Sequence, residues 1–440
     1  MRNNSALRRA TDVQGMVRRL VDLVFALALL LYTAQMEIPF LSATLENGER
    51  RESFIPMNTL LYIATAMVVW TRWRSVAKTA SRMRWLLALL GWALLSTLWS
   101  TRPTETLHLA ISLTLTTLSG IYLAVAFRPK QQVTLIGIVA GMIIAISVLK
   151  IGLGSSAFQH HAFRGAFTTK NEMGRLIVLA ILALQIAPGD LRKRSLRWLA
   201  LAGLAVLLLL TKSATALAIG CIVIVLIPLL RIARIRGPML LPALLLILSI
   251  LVGAATFAIK NTEAVFAVLD RDTTMTGRTE LWKSVTLSIE KRPWLGYGLG
   301  GFWNGLTGPS LEVLRVVRWK VPHAHNGFLE LALNLGLIGL AIFLVSFVAT
   351  LLRGLKQFRY STNPYLAWPL AFMSYMFLYN MTETTIVRVA SIFWILYVTA
   401  AASIARQTSG SSIETASLVM ELRGLQMLAL PEAQILPQQS

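Results

Sequence analysis

The chain has 440 residues, 55% of them hydrophobic and 14% charged, with a mean hydropathy of +0.64 and a formal net charge of +22. That balance excludes an ordinary soluble domain: apolar runs of about 17–25 residues, each able to cross a hydrocarbon core about 30 Å thick, recur from end to end. The lone cysteine, Cys221, excludes a disulfide framework and a cysteine-ligated metal, and its apolar surroundings predict a small buried side chain.

Arg2, Arg8, Arg9, Arg18 and Arg19 precede the first apolar stretch, as in a signal peptide. The stretch continues to about Phe40, however, and Gln35-Met36-Glu37 is a poor cleavage site, so it is read as an uncleaved span. Twelve spans are predicted near 19–41, 54–71, 84–100, 105–127, 132–151, 171–188, 195–211, 213–231, 238–260, 325–352, 364–381 and 385–404. The basic segments at the N-terminus, 72–84, 128–130, 192–197, 231–236 and 353–359 alternate as cytoplasmic connections, and the turn at 42–53 carries Glu46, Glu49 and Glu52.

The expected organisation is an all-α polytopic membrane protein. It has a cytoplasmic N-terminus (1–18), nine spans within 19–260, one large external loop with short helices (261–324), three spans within 325–404, and a cytoplasmic tail (405–440). Residues 413–430 of the tail form an amphipathic piece suited to lying on the membrane. The net charge follows largely from this orientation and from attraction to anionic membrane lipid, and no nucleic-acid module is present.

Two external segments carry cations that orientation does not explain. In 152–175, Arg164-Gly165 is followed by Phe167, Thr168, Thr169, Lys170 and Asn171 at the start of a span. A guanidinium fork, a lysine and a helix start capped by Thr168 or Thr169 suit phosphate oxygens, and Gly165 lets the backbone approach a ligand. In 260–320, Lys260, Arg271, Arg278, Lys283, Lys291, Arg292, Arg315, Arg318 and Lys320 outnumber six acids. Arg278 opens an amphipathic helix containing Trp282, and Pro293–Phe302 follows as a glycine- and aromatic-rich turn, read as an interfacial anchor or a platform for a sugar face. Its glycines do not make a nucleotide fingerprint, since no strand precedes them.

The loop ends in Pro322-His323-Ala324-His325-Asn326, with Glu330 beyond. Two histidines two residues apart do not share a helix face, and no third ligand is near in sequence, so the pair favours proton transfer over zinc. Asn326 or Glu330 would orient the base, and the division of roles between His323 and His325 stays open.

Taken together, Arg164-Gly165-Ala166-Phe167 with Lys170-Asn171, Ser213-Ala214-Thr215, Gly277-Arg278 with Trp282, Leu295-Gly296-Tyr297-Gly298 and His323-Ala324-His325-Asn326 with Leu329-Glu330 resemble one family. It is the bacterial O-antigen ligase and Wzy-type polymerase superfamily of polytopic glycosyltransferases, and the likeness covers about residues 160–340. At 213–215 the family commonly has Ser-Arg-Thr, whereas Ala214 stands here, so phosphate binding by that step is not carried over.

The resemblance implies a GT-C-like fold in the bacterial inner membrane, with both termini cytoplasmic and a periplasmic active site. It further implies O-antigen ligation: en bloc transfer of a glycan from undecaprenyl pyrophosphate to a lipid A–core sugar of lipopolysaccharide, without metal or other cofactor and with inversion. His325 would be the general base and Arg164, Lys170 and Arg278 would hold the pyrophosphate, with His323, Asn326, Asn171, Trp282 and Glu330 in support. An O-antigen polymerase or a protein O-oligosaccharyltransferase would use the same donor. A transporter of lipid-linked sugars is the rival outside enzymes.

Overall fold

The computed structural model describes residues 2–36, 54–152, 157–159, 161–187, 194–232, 277–305, 307–317 and 321–407. The expected span at 238–260, the acidic turn at 42–53, Lys260, Arg271, Arg318 and Lys320, and the tail beyond residue 407 lie outside the described residues.

The first helices are α1 (Arg2–Thr33), α2 (Phe54–Thr71), α3 (Trp73–Ala80), α4 (Arg84–Leu95), α5 (Pro103–Ala126) and α6 (Pro129–Gly152). They are followed by α7 (Lys170–Ile186), α8 (Arg194–Leu210) and α9 (Ala214–Ile232). The short α10 (Arg278–Lys291) and α11 (Ser310–Val317) precede α12 (Gly327–Tyr360), α13 (Ala367–Tyr379) and α14 (Ile392–Gln407). Helices α5, α6 and α12 are long and apolar enough to cross a membrane, and α8, α9 and α14 are shorter apolar helices. Met142, Leu149 and Leu352 stand exposed on α6 and α12, as expected of helices that face hydrocarbon.

Three expectations are refined and one, for Cys221, needs correction. Helix α1 begins far upstream of residue 19 and ends at Thr33. The connection at 72–84 contains α3, whose Val76 and Thr79 are buried while Arg74 and Lys78 are exposed. The fold is not wholly helical: β1 (Phe158–Gln159) pairs antiparallel with β2 (Ala162–Phe163), Phe158 opposite Phe163. Cys221 is exposed on α9, because its neighbours Gly220 and Val223 take the inward positions.

Helix α7 packs on α6, α8 and α9, α13 packs on α7 and α9, and α12 packs on α4. Trp368, Phe372, Tyr375, Tyr379, Trp394 and Tyr397 fill the centre of the bundle. A second, smaller core lies under α10, where Leu281 and Val285 meet Tyr297, Phe302, Ala324 and Leu333.

Trp294 in the turn at 293–301 stands exposed, as an interfacial anchor would, but the other rings turn inward and offer no open sugar platform. Tyr297 and Phe302 are buried edge to face, with the Tyr297 hydroxyl donating to the Ser288 carbonyl at 2.9 Å. Instead the turn drives its backbone into α12, which breaks at Gly336 (φ +70°, ψ −178°). Tyr297 N–H donates to Leu333 O at 3.0 Å, and Leu337 N–H donates back to Pro293 O at 2.7 Å. Trp92 and Trp99 Nε1 donate to Leu335 O and Leu295 O, both at 2.9 Å, so backbone groups freed by the break find partners.

A Cβ on Gly336 would lie 2.0 Å from Trp294 O at a backbone angle that disfavours any side chain. Gly336→Ala is therefore expected to lower thermal stability in detergent by at least about 1–3 kcal/mol. Gly91→Ala on α4, where nothing lies within 4 Å, is the control that should not lower it.

Candidate active site

The site is made of turns held by helix ends. At the start of α7, Thr169 and Glu172 form a reciprocal capping box, which confirms the expected threonine cap. Lys170 and Asn171 are the first two helical residues. Gly165 (φ +58°) packs against Ser147 of α6, where a Cβ would come within 2.5 Å of the Ser147 side chain. Its glycine therefore serves packing at this position. The Arg164 guanidinium lies 3.4 Å from the carbonyls of Phe167 and Thr168, close to the α7 end.

Across from α7, the segment after the loop is fixed by its own backbone. Trp282 Nε1 donates to Ala324 O at 2.9 Å, and Ala324 N–H donates to Glu330 at 2.8 Å. Asn326 caps α12 through Phe328 N–H and Leu329 N–H, and its amide donates to Met381 O at 3.2 Å. Between these anchors His325 is held at φ +49°, with its N–H donating to His323 Nδ1 at 3.2 Å. The two imidazole centroids are 4.2 Å apart.

The residue that joins these parts is Glu383, in the turn after α13. Its Oε1 accepts from Arg278 and from Asn171 Nδ2, each at 3.0 Å, and its Oε2 lies 3.4 Å from His325 Nδ1. Asn171 is oriented in turn by the Ser213 hydroxyl at 2.8 Å and accepts the Tyr379 hydroxyl on its carbonyl at 3.0 Å. Ser213 thus has a place in the site through Asn171, although Ala214 stands at the middle of that step. The Glu383 turn is itself shaped by Asn380, whose Oδ1 accepts from Thr385 N–H and Ile386 N–H at 2.8 and 3.1 Å.

Glu330 is not the group that orients His325. Trp303, Asn334 and Ala324 N–H satisfy its carboxyl, which makes it a brace for the turn. Sequence reading missed Glu383, although a signal existed: it is the only acid between Glu330 and Glu414. Of the expected residues, Arg278, Asn171 and His325 converge on one carboxylate. His323, Asn326, Trp282 and Glu330 fix the turn, and Arg164 and Lys170 lie at the α7 end.

The electrostatics follow from burial against pairing. Burial opposes ionisation of Glu383, but His325, Arg278 and His323 outweigh it and bring its carboxyl down to about 2. Burial, with His325 and Arg388 nearby, pushes His323 down to about 3, so it stays a neutral acceptor. Donor atoms of His323, His325 and Glu383 lie within 4.8 Å of one another, a spacing a metal ion tolerates. Arg278 and Asn171 share the Glu383 Oε1 oxygen and His323 Nδ1 accepts a backbone N–H, so these two atoms are already engaged.

With this geometry in view, comparison with known proteins supplies the class. Residues 199–344, which include Ser213, Arg278 and His325, match the family described as O-antigen ligase. The chain is also 27% identical over 304 residues to the exopolysaccharide production protein ExoQ of Rhizobium meliloti (strain 1021), covering 65% of this chain and 68% of that protein. Both findings are likenesses to the O-antigen ligase superfamily, membrane enzymes of the ligase and polymerase type.

Acid should unfold this site in two stages. His323, lowered from 6.5 to about 3, contributes stability that is lost as pH falls from 6.5 because the unfolded chain takes the proton first. Glu383, lowered from 4.5, contributes stability that is present above pH 4.5 and lost as pH falls towards 2. Thermal unfolding of the detergent-solubilised chain should show a midpoint falling from pH 6.5 downwards. In His323→Asn, which keeps an acceptor for His325 N–H, the decline should begin only near pH 4.5.

Proposed function

We propose that this chain is an O-antigen ligase, moving a glycan en bloc from undecaprenyl pyrophosphate to a sugar hydroxyl of lipid A–core. The observation that carries the reading is the Glu383 carboxylate, which bonds Arg278 on one oxygen and faces His325 on the other. With Nδ1 turned to Glu383, Nε2 of His325 is the nitrogen assigned to substrate. That nitrogen takes the proton from the acceptor hydroxyl, whose oxygen attacks the anomeric carbon. The bond to the pyrophosphate breaks on the opposite face, and the configuration inverts. Arg278, Arg164 and Lys170 neutralise the departing undecaprenyl pyrophosphate, guanidinium forks matching its oxygens. Glu383 is a positioning residue that holds the imidazole and stabilises its protonated form.

The same proposal includes a twelve-span, GT-C-like arrangement in the bacterial inner membrane, with residues 1–18 and 405–440 cytoplasmic and the 261–324 loop periplasmic. The proposed reaction is metal-independent. A second reading, a polymerase, is favoured by the relative named for exopolysaccharide production. It differs only in the acceptor, a second lipid-linked glycan in place of lipid A–core.

Purified protein in detergent, given a polyprenyl-pyrophosphate glycan and both acceptors, should glycosylate lipid A–core. Lengthening of the lipid-linked glycan alone would make it a polymerase, and failure to transfer to either would end the transferase reading. His325→Ala should lose about 10²–10⁴-fold in rate, the usual contribution of a general base. Glu383→Gln should lower kcat with acceptor KM little changed. Excess chelator should leave the rate unaltered, and full activity in both Arg164→Ala and Arg278→Ala would reject the leaving-group role.

A further inference from the structure

A cavity of about 310 Å³ opens beside His323. Its walls come from α5, the turn at 299–300, the start of α12 and residues 384–389. No residue of α7 or α10 lines it, so it lies away from the helices that carry Lys170, Asn171 and Arg278. It also differs from the bundle's larger, apolar groove between α6, α7 and α8, because its lining is mixed. His323, Glu330, Asn334, Thr384 and Arg388 are its polar residues, Glu330 and Asn334 being bonded to each other and to the backbone, and the rest is mainly aliphatic, including Leu109 and Val387.

One of those polar groups is unsatisfied. The Thr384 hydroxyl is buried and has no hydrogen-bond partner among the described residues. A buried hydroxyl without a partner is costly and rare, and because Thr384 lines the cavity, a turn of its side chain would bring the hydroxyl to a ligand seated there. The wall chemistry indicates which ligand. A pyranose ring displays hydroxyls at its rim and C–H bonds on its faces, which is the mixture this lining complements. Ligand pockets run to about 300–1,000 Å³, so this one is at the small end and admits a sugar ring but no long glycan. Among the described residues the cation of the wall is Arg388, which donates to Thr384 O at 3.4 Å, and the carboxyl of Glu330 stands in the same wall, which favours a neutral ring.

We propose that this cavity is the acceptor subsite, binding one neutral hexopyranose so that a ring hydroxyl is presented past His323 to His325, and that Thr384 and Arg388 set its sugar preference. The assignment rests on the transferase reading, with the leaving pyrophosphate on the α7 and α10 side. His323, with its ring centroid 4.2 Å from that of His325, connects the two halves.

Saturation-transfer NMR on the full-length detergent-solubilised chain tests the subsite without requiring turnover, using methyl glycosides of glucose, galactose and mannose as probes. At least one should bind wild type and His325→Ala alike, about tenfold more weakly to Thr384→Val and Arg388→Gln, and normally to Thr384→Ser, which restores the hydroxyl. No binding of any probe to wild type, or equal binding by Thr384→Val, would overturn the proposal. In the transfer assay, Thr384→Val should raise the acceptor KM about tenfold with donor KM and kcat near wild type; a rise in donor KM instead would overturn the acceptor assignment. Probe binding lost in Thr384→Val by a protein that transfers to no acceptor would reject the transferase reading and leave the sugar subsite standing.

Discussion

A carboxylate taken out of water must be paired, and that requirement organises the functional end of this molecule. Glu383 meets it with Arg278 from α10, Asn171 from α7 and His325 from the turn before α12. Three segments far apart in sequence are thereby brought to one point. Removing any partner would leave a buried charge imperfectly matched, so the pairing that stabilises the fold also fixes the orientation of the imidazole.

Fixing the backbone around His325 takes a further set of groups. The left-handed conformation of His325 is unfavourable for a non-glycine residue and persists because its surroundings over-determine it. Trp282 and Glu330 hold Ala324 from two sides, while Asn326 and Gly327 are tied to the turn at 380–381. None of these groups has to touch substrate to matter. Their work is to hold one ring in a single orientation.

Much of this was legible in the sequence, and what was not has physical reasons. Helices α5 to α9, α12 and α13 follow from apolar length alone, and Thr169 and Asn326 act as helix caps, which only the first was expected to do. The cations and histidines stood out because charge is rare in such a chain. Glu383 did not, since a single acid between two spans looks like ordinary turn polarity until its partners are known. Ser213 was discounted because Ala214 interrupts the expected step, yet its hydroxyl reaches Asn171. The turn at 293–302 was read for its aromatic rings, whereas Gly296, with Gly336 of α12, supplies the absence of a side chain where two backbones meet.

That meeting limits how the chain can be rearranged. The turn and the interrupted helix complete each other's ladders, so neither is a module in its own right. A chimera that imported the 293–301 stretch from a relative while keeping its own 333–338 would strand carbonyls in a setting without water to receive them. Shuffling experiments among such proteins would therefore have to cut upstream of Pro293 and downstream of Ile338, inheriting the intervening histidine segment whole.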